Sequence, residues 1–329
     1  MNFFKWFKPK QKVAMENRVD FSKLLISMQK TSIRISYDEE FKGECPIGIS
    51  KLGGKPDLPP DFQWYYFQGK SYEETIANLP PTIHQYYNRN DIKYNAALPL
   101  SFLAQINLAE VHEYDKENLL PSTGMLYFFY EFATMTWGDL GDKGGSRVYY
   151  YSGNISELHR TDFPSDLQDE FKIPEIPITF SNKTELPDYE EFIEWYDEYN
   201  FDQWNKYDET RIEMNINSEY SIEEDLKINK LLGYANLIQS GMLLECEAAT
   251  SGIILYSDKG GYSNNLSMDR LRQLKENCKK WQLLFQLESI YIKNYEMLWG
   301  DCGRIYFYIN SDDLKKQNFE NCWLVLQCT

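Results

Sequence analysis

Met297-Leu-Trp-Gly-Asp-Cys-Gly-Arg-Ile-Tyr-Phe-Tyr-Ile309 joins a tight polar turn to a run of alternating aromatic and aliphatic residues. Gly300 and Gly303 can take the positive φ of a hairpin reversal, and Asp301 can accept backbone N–H groups within the turn. Past the turn, the two-residue period puts Ile305, Phe307 and Ile309 on one face of a strand and Arg304, Tyr306 and Tyr308 on the other. The stretch therefore reads first as the hairpin on which a C-terminal sheet is registered.

An echo of it stands upstream. Trp137-Gly-Asp-Leu-Gly141 precedes Arg147-Val-Tyr-Tyr-Tyr151, and with residues 142–146 taken as a turn insertion, seven of ten aligned positions are identical. A rival alignment pairs Gln105…Gly124-Met-Leu-Tyr-Phe-Phe with Gln286…Gly303-Arg-Ile-Tyr-Phe-Tyr, at Gln-to-Gly spacings of 19 and 17 residues. Either one implies two related aromatic hairpin units, too few for a solenoid. The residues do not choose between them.

With 329 residues, 43% of them hydrophobic, the chain can bury a sizeable core, which excludes disorder throughout. Its 25 Tyr and 19 Phe favour half-buried strands with aromatic cross-strand pairs. The net charge of −16 argues against nucleic-acid binding, which needs clustered Lys and Arg, and leaves a basic protein as the conceivable partner. Cys45, Cys246, Cys278, Cys302, Cys322 and Cys328 form no Cys-x-x-Cys pair and no secretory leader is recognisable, so reduced thiols and a cytoplasmic location are expected. His84, His112 and His159 lack metal-ligand spacing, so neither a metal nor a cofactor is expected. No stretch reaches the roughly 20 apolar residues of a membrane span.

Along the chain, residues 1–13 form a basic-aromatic tail, followed by a helix expected over 14–30 and a strand at 32–36. The loop Ile49 to Pro60 is stiffened by Pro56, Pro59 and Pro60, and its Lys51 is a candidate to face a ligand. Ser71-x-x-Glu74 is a capping box opening a short helix through Ala77. Strands follow at 98–108, where Gln105 amid apolar neighbours requires a hydrogen-bond partner, and at 125–130. Ser221-x-x-Glu224 predicts another helix through Leu232, ended by Gly233, and Ser267 caps one through about Trp281. Residues 283–287 and 322–328 read as buried strands.

Between Glu185 and Asp225 fifteen acidic residues face only Lys206 and Arg211, so this stretch carries −13 of the −16. Its aromatics, Phe192, Trp195, Tyr196 and Tyr199 among them, fall one helical turn apart. The pattern predicts a solvated acidic helix packed by one aromatic seam. Its functional alternative is a surface of Glu190, Glu191, Glu194, Asp197 and Glu198 that steers a basic partner.

No metalloprotease, nucleophile-elbow, phosphate-loop or dinucleotide motif occurs, and no catalytic residue is assigned. Asp139 and Asp301, each after Trp-Gly, could pair as carboxylates, though capping of their own turns explains them sufficiently. With Lys51, Gln105, Gln286 and Arg304 they make the candidate small-ligand set.

One combination of motifs, in order, is more specific than any one alone. Lys51-Leu-Gly-Gly-Lys-Pro-x-Leu-Pro59, Phe102-Leu-Ala-Gln-Ile-Asn107, Leu120-Pro-x-x-Gly-x-Leu-x-Phe-Phe129, Leu231-Leu-Gly-Tyr with Gln239, Met242 and Glu245-Cys246, Trp299-Gly-Asp-Cys-Gly-x-Ile-Tyr-Phe307 and Leu324-Val-Leu-Gln-Cys328 resemble the YwqG-like family of bacterial proteins over roughly residues 20–329. The resemblance implies an α+β fold on a predominantly antiparallel sheet with internal duplication and peripheral helices. It makes residues 14–329 one domain with an acidic insertion near 185–225, bacterial and cytoplasmic. It supplies no activity and so no catalytic residue, and the neighbourhood of some members to toxin genes suggests an immunity role against a basic toxin. The leading expectation is a non-enzymatic binding protein. The alternatives are that immunity role and an enzyme or small-ligand binder using a pocket near the two Trp-Gly-Asp turns.

Overall fold

The alternation at the C-terminal hairpin is realised with both faces of the strand buried. In the computed structural model, Ile305, Phe307 and Ile309 enter one core cluster while Tyr306 and Tyr308 enter another. Only Gly300 of the turn glycines has positive φ, +62°. Gly303 is instead required by close approach, since a Cβ there would stand 2.4 Å from the Gln327 carbonyl oxygen. The structure describes residues 20–69, 71–77, 96–196, 199, 203–214, 228–255, 262–263, 265–292 and 294–329.

Ten strands make one antiparallel sheet. They are β1 (Lys30–Tyr37), β2 (Lys51–Leu52), β3 (Ser101–Asn107), β4 (Met125–Tyr130), β5 (Ser146–Tyr151), β6 (Ile176–Glu185), β7 (Asn229–Leu231), β8 (Trp281–Glu288), β9 (Arg304–Asn310) and β10 (Trp323–Gln327). Their spatial order is β10-β9-β8-β7-β1-β6-β2-β3-β4-β5. The chain is thus α+β with a mainly antiparallel sheet.

The order is nearly palindromic about the central pair β1 and β6. One half runs β2-β3-β4-β5 and the other β7-β8-β9-β10, and the correspondence reaches single residues. Lys51 pairs with Gln105 in register, and Lys230 with Gln286. A bulge leaves Leu103 out of the β3–β4 register and another leaves Leu284 out of β8–β9. Each freed carbonyl accepts a hydrogen bond from the turn after the short strand, Gly53 N to Leu103 O at 2.8 Å and Leu232 N to Leu284 O at 3.1 Å. Gly53 and Gly54 have φ +55° and +67°, matched by +58° and +75° at Leu232 and Gly233. The structure therefore selects the Gln105/Gln286 alignment as the repeat. The Trp137 turn lies between β4 and β5 and the Trp299 turn between β8 and β9, so those two are not equivalent.

The sheet curls so that its inner faces meet. Phe128 of β4 lies 4.4 Å from Phe285 of β8 and 5.2 Å from Phe307 of β9, ring centre to ring centre. Burial of each such side chain contributes about 1.5–3 kcal/mol. The outer face of the C-terminal half is covered by helices Leu243–Thr250 and Met268–Cys278, packed on Trp281, Leu283, Tyr306 and Tyr308. The other outer face is covered by Phe62, Trp64 and Tyr65 over Phe129. Helices Phe21–Ser27, Tyr189–Trp195 and Trp204–Glu213 share a fourth cluster built on Phe21, Phe192 and Tyr207.

Curling brings the outermost strands together. Tyr150 of β5 packs its ring 5.3 Å from Phe319, just before β10. The segment between β4 and β5 bridges to β10, with Leu326 N donating to Trp137 O and Trp323 Nε1 to Gly138 O, both at 2.9 Å. The result is an almost closed barrel with a seam.

Several expected elements shift. Residue 30 already belongs to β1, so the first described helix ends at Ser27. The helix expected through Leu232 is contradicted, because residues 229–231 are β7, held between β1 and β8; its proposed start, 221–227, lies outside the described residues. Helix Met268–Cys278 begins at the Ser267 cap but ends before Trp281, which starts β8. Helix Tyr72–Ala77 has its Ser71–Glu74 box. The tail at 1–13 lies outside the described residues. No described helix is long and apolar enough to cross a membrane.

Candidate functional site

The seam opens into a cleft. Its construction starts at the Trp137-Gly-Asp turn, where the Asp142 carboxylate accepts the N–H groups of Trp137, Gly138 and Asp139 at 2.9, 3.0 and 3.1 Å. Burial raises the Asp142 pKa above the ordinary carboxylate value, and the Gly138 N–H bond opposes that. Gly138, at φ +100°, sits so close to β10 that a Cβ would stand 2.2 Å from Leu324 O. The turn is thereby pinned to one side of the seam while its continuation, Ser146 and Arg147, belongs to β5 on the other.

The cleft has a volume of about 490 Å³, within the roughly 300–1,000 Å³ typical of small-ligand sites. Its lining is drawn from residues 136–147, from the last turn of helix Leu243–Thr250, from Trp281 and Asn310, and from residues 313–324. Trp281 and Trp323 supply apolar wall, and their indole N–H groups are already engaged, with Glu247 Oε2 at 3.0 Å and with Gly138 O at 2.9 Å. Thr136, also in the lining, is 4% exposed and its Oγ1 has no hydrogen-bond partner. A buried hydroxyl left unpaired costs about 1–3 kcal/mol; Ser101 Oγ, Trp299 Nε1 and Tyr308 OH share that state, and Thr136 Oγ1 is packed beside Gly145 rather than open to the cleft.

The sequence-chosen side chains divide among three places. Lys51 and Gln105 join a buried polar cluster of the first half. Lys51 Nζ donates to Glu175 Oε2 at 2.6 Å and Lys55 O at 2.7 Å, and Gln105 clasps Asp57 by accepting from its N–H at 2.8 Å and donating to its Oδ2 at 2.7 Å. Arg160 completes the cluster, from Nε to Asp57 Oδ1 at 2.7 Å and from Nη1 to Glu175 Oε2 at 2.8 Å. Burial lowers the Lys51 pKa, against the pull of Glu175 and Asp57. Burial would raise Glu175, yet the Lys51 bond, the Cys45 N–H and the nearby cations bring it below its ordinary value.

Gln286 and Arg304 join the equivalent cluster of the second half. Gln286 Oε1 accepts from Asn236 N at 2.9 Å, and Arg304 donates to Glu288 Oε1 at 2.9 Å and Asn236 O at 3.1 Å. Lys230 Nζ, the counterpart of Lys51, holds both oxygens of Glu185 at 2.9 and 2.8 Å. The two lysines thus take carboxylates from opposite ends of one central strand, since Glu175 immediately precedes β6 and Glu185 ends it. Tyr127 and Tyr306 donate in parallel fashion to the carbonyls of Asp57 and Asn236.

Asp139 and Asp301 are exposed on adjoining turns; a Cβ on Gly300 would lie 3.5 Å from Trp137 Cη2. The tryptophans differ, for Trp299 is fully buried and stacked 5.0 Å from Phe132, whereas Trp137 is 43% exposed. Neither aspartate lines the cleft.

In the acidic stretch, Glu191 is buried and Glu194 points into the body. Glu194 accepts from Leu243 N and Leu244 N, both at 3.0 Å, so it caps the helix whose far end lines the cleft. Burial raises Glu191 to about 8 and Glu194 to about 7. Lys30, whose pKa burial lowers against the pull of the Glu191 charge, lies 4.4 Å over the Tyr234 ring. Glu190 is half-buried, and Asp197 and Glu198 lie outside the described residues. The expected solvated helix is therefore only partly solvated.

Sequence reasoning missed Asp142, Arg147, Trp281, Trp323, Asp57, Arg160 and Glu175. A usable signal existed for Asp142 alone, an acid four residues after Gly138 in a turn. Among the described residues no three His, Cys, Asp or Glu side chains converge as a metal site requires.

The fold and cleft define an α+β protein built on one duplicated, curled antiparallel sheet with a pocket at its seam. The model of the family described as Domain of unknown function (DUF1963) matches residues 50–328, and the chain belongs to that family. Among curated proteins none matches it.

Proposed function

We propose that this is a non-enzymatic binding protein whose ligand enters the seam cleft beside the Trp137-Gly-Asp turn. The observation that carries the reading is the cleft's lining, which sets Trp281 and Trp323 beside Ser146, Arg147 and Asn310 around a volume of about 490 Å³. Apolar walls with a few convergent polar groups are what small-ligand sites are made of. A YwqG-like, bacterial and cytoplasmic protein, with residues 14–329 as one unit, accords with this reading. Asp139, Asp301, Lys51, Gln105, Gln286 and Arg304 then act as scaffold around the cleft rather than as its lining.

Ala249 lines the cleft from the last turn of its helix, and it is only half-buried, so Ala249→Trp fills the space without opening the core. A small-fragment set should include compounds that raise the melting temperature of the wild type, as any ligand of the folded state must, and that fail to raise that of Ala249→Trp. Hits that stabilise both proteins equally would place binding elsewhere and remove the proposal.

A further inference from the structure

Resting on the cleft as the binding site, we infer that its ligand is an organic cation, an ammonium group on an apolar stem. The lining carries four carboxylates, Asp142, Glu247, Asp313 and Glu320, against two cations, Lys143 and Arg147. Among the described residues, the first three acids are held by neutral donors alone. Asp142 Oδ2 accepts three backbone N–H groups, Glu247 accepts from Trp281 Nε1 and Asn277 Nδ2 at 3.0 Å each, and Asp313 Oδ1 accepts from Asn318 and Asn321 Nδ2 at 3.2 and 2.8 Å. Such bonds fix a carboxylate in place and leave its charge uncancelled. Asp142 Oδ1 and Asp313 Oδ2 accept nothing among the described residues, and neither is sealed from solvent, so both can still take an N–H donor.

The two cations do not offset these three acids. Arg147 and Glu320 both act on the Tyr65 hydroxyl, the one lowering its pKa and the other raising it, so they lie near a single group and oppose each other there. Lys143 is exposed, and water screens it. Helix Leu243–Thr250 ends in the lining with no basic residue in its last turn, so its C-terminus adds partial negative charge. An anion would meet the three acids and that helix end within a chain of net charge −16. A cation finds the favourable sign in each of them. A bare metal ion fits poorly, since among the described residues no three His, Cys, Asp or Glu side chains converge to coordinate one. An ammonium needs no such cage, because its three N–H donors are met singly by carboxylate oxygens. Leu140, 38% exposed, and the Trp281 and Trp323 rings supply apolar lining for a carbon stem.

The experiment is calorimetric titration of the full chain with three probes of similar size and different charge: phenethylamine, 2-phenylethanol and phenylacetate. Phenethylamine should bind, the alcohol about tenfold more weakly, the worth of a charge-assisted hydrogen bond in a partly desolvated site, and phenylacetate not measurably at millimolar concentration. Asp313→Asn keeps an Oδ1 acceptor for Asn318 and Asn321 and removes the charge, and Asp142→Asn does the same for its turn. Each should weaken phenethylamine by about three- to tenfold and leave the alcohol unchanged. Arg147→Gln, which would cost an anion its partner, should leave the amine as tightly bound or tighter. Added NaCl should weaken the amine alone. Should a variant lose the wild-type melting temperature, the order of the three probes on the wild type decides the sign by itself. Equal affinity for amine and alcohol, a preference for phenylacetate, amine affinity unchanged in both folded aspartate variants, amine binding that survives in Ala249→Trp, or none at millimolar concentration would overturn the inference. Failure here together with fragments that Ala249→Trp excludes would remove the cation and leave the cleft standing as the site.

Discussion

Gln105 and Gln286 perform the same task in the two halves of the sheet. Gln105 Oε1 accepts from Asp57 N at 2.8 Å and its Nε2 donates to Ile49 O at 2.8 Å; Gln286 Oε1 accepts from Asn236 N at 2.9 Å and its Nε2 donates to Ile228 O at 2.6 Å. Both side chains are fully buried. Each fastens the chain before a short strand to the chain after it, and so closes the turn in which a residue adopts positive φ.

Gln105→Leu and Gln286→Leu should therefore destabilise alike. Each leaves a buried N–H and a buried carbonyl unpaired, at about 1–3 kcal/mol per group. Urea unfolding should give similar losses for the two variants, and a neutral result at either position would contradict the equivalence.

The lysine–carboxylate pairs predict a non-additive series. Lys230→Met leaves Glu185 buried with, among the described residues, only Arg34 at 3.3 Å and the Tyr234 N–H at 3.2 Å, and breaking a buried pair costs about 3–5 kcal/mol. Lys230→Met with Glu185→Leu should recover a substantial part of that loss. A double variant as unstable as the sum of the singles would argue against the pair as the origin.

Stability should fall as pH rises from about 5 to 8. Glu191 and Glu194 titrate near 8 and 7 in the folded chain, through burial, against an ordinary 4.5. In that window the folded state retains protons that the unfolded state has released, so each group contributes a slope of up to about −1.4 kcal/mol per pH unit. Lys30, held low chiefly by burial, acts in the opposite sense only above its lowered pKa. Melting temperatures measured across the window should fall less steeply for Glu191→Gln, and an unchanged slope would exclude Glu191 as a source.

Gly138→Ala should loosen the seam. The added Cβ meets Leu324 O at 2.2 Å with φ at +100°, a combination costing at least about 1–3 kcal/mol. The Leu326 amide, whose acceptor is Trp137 O, should then exchange its hydrogen faster, while amides in β1 and β6 keep their protection.

The strand at 304–310 was readable because a period of two survives in any sheet. That Tyr306 and Tyr308 are as buried as Ile305 was not, because a tyrosine reads equally well as a wet edge or as a packed ring; here the Tyr306 hydroxyl donates to Asn236 O, while that of Tyr308 is buried without a hydrogen-bond partner among the described residues. The Trp-Gly-Asp echo misled through identity of residues at topologically different turns. The true repeat was obscured where Gly53 is answered by Leu232, a side chain that takes positive φ only because the surrounding hydrogen bonds hold it there. Ser221-x-x-Glu224 suggested a helix through Leu232, but pairing with β1 and β8 on both sides overrode that local preference at 229–231. The cleft was illegible for a different reason. Arg147, Ala249, Trp281 and Trp323 lie on four separate elements and become neighbours only when the sheet curls.

The measurement that bears most directly on the cleft as the binding site is the response of two indole N–H resonances, those of Trp281 and Trp323, to a stabilising fragment. In the wild type both should shift in proportion to occupancy, and in Ala249→Trp neither should move at the same fragment concentration. A fragment that binds and leaves both resonances in place, or moves them equally in the two proteins, would contradict the account.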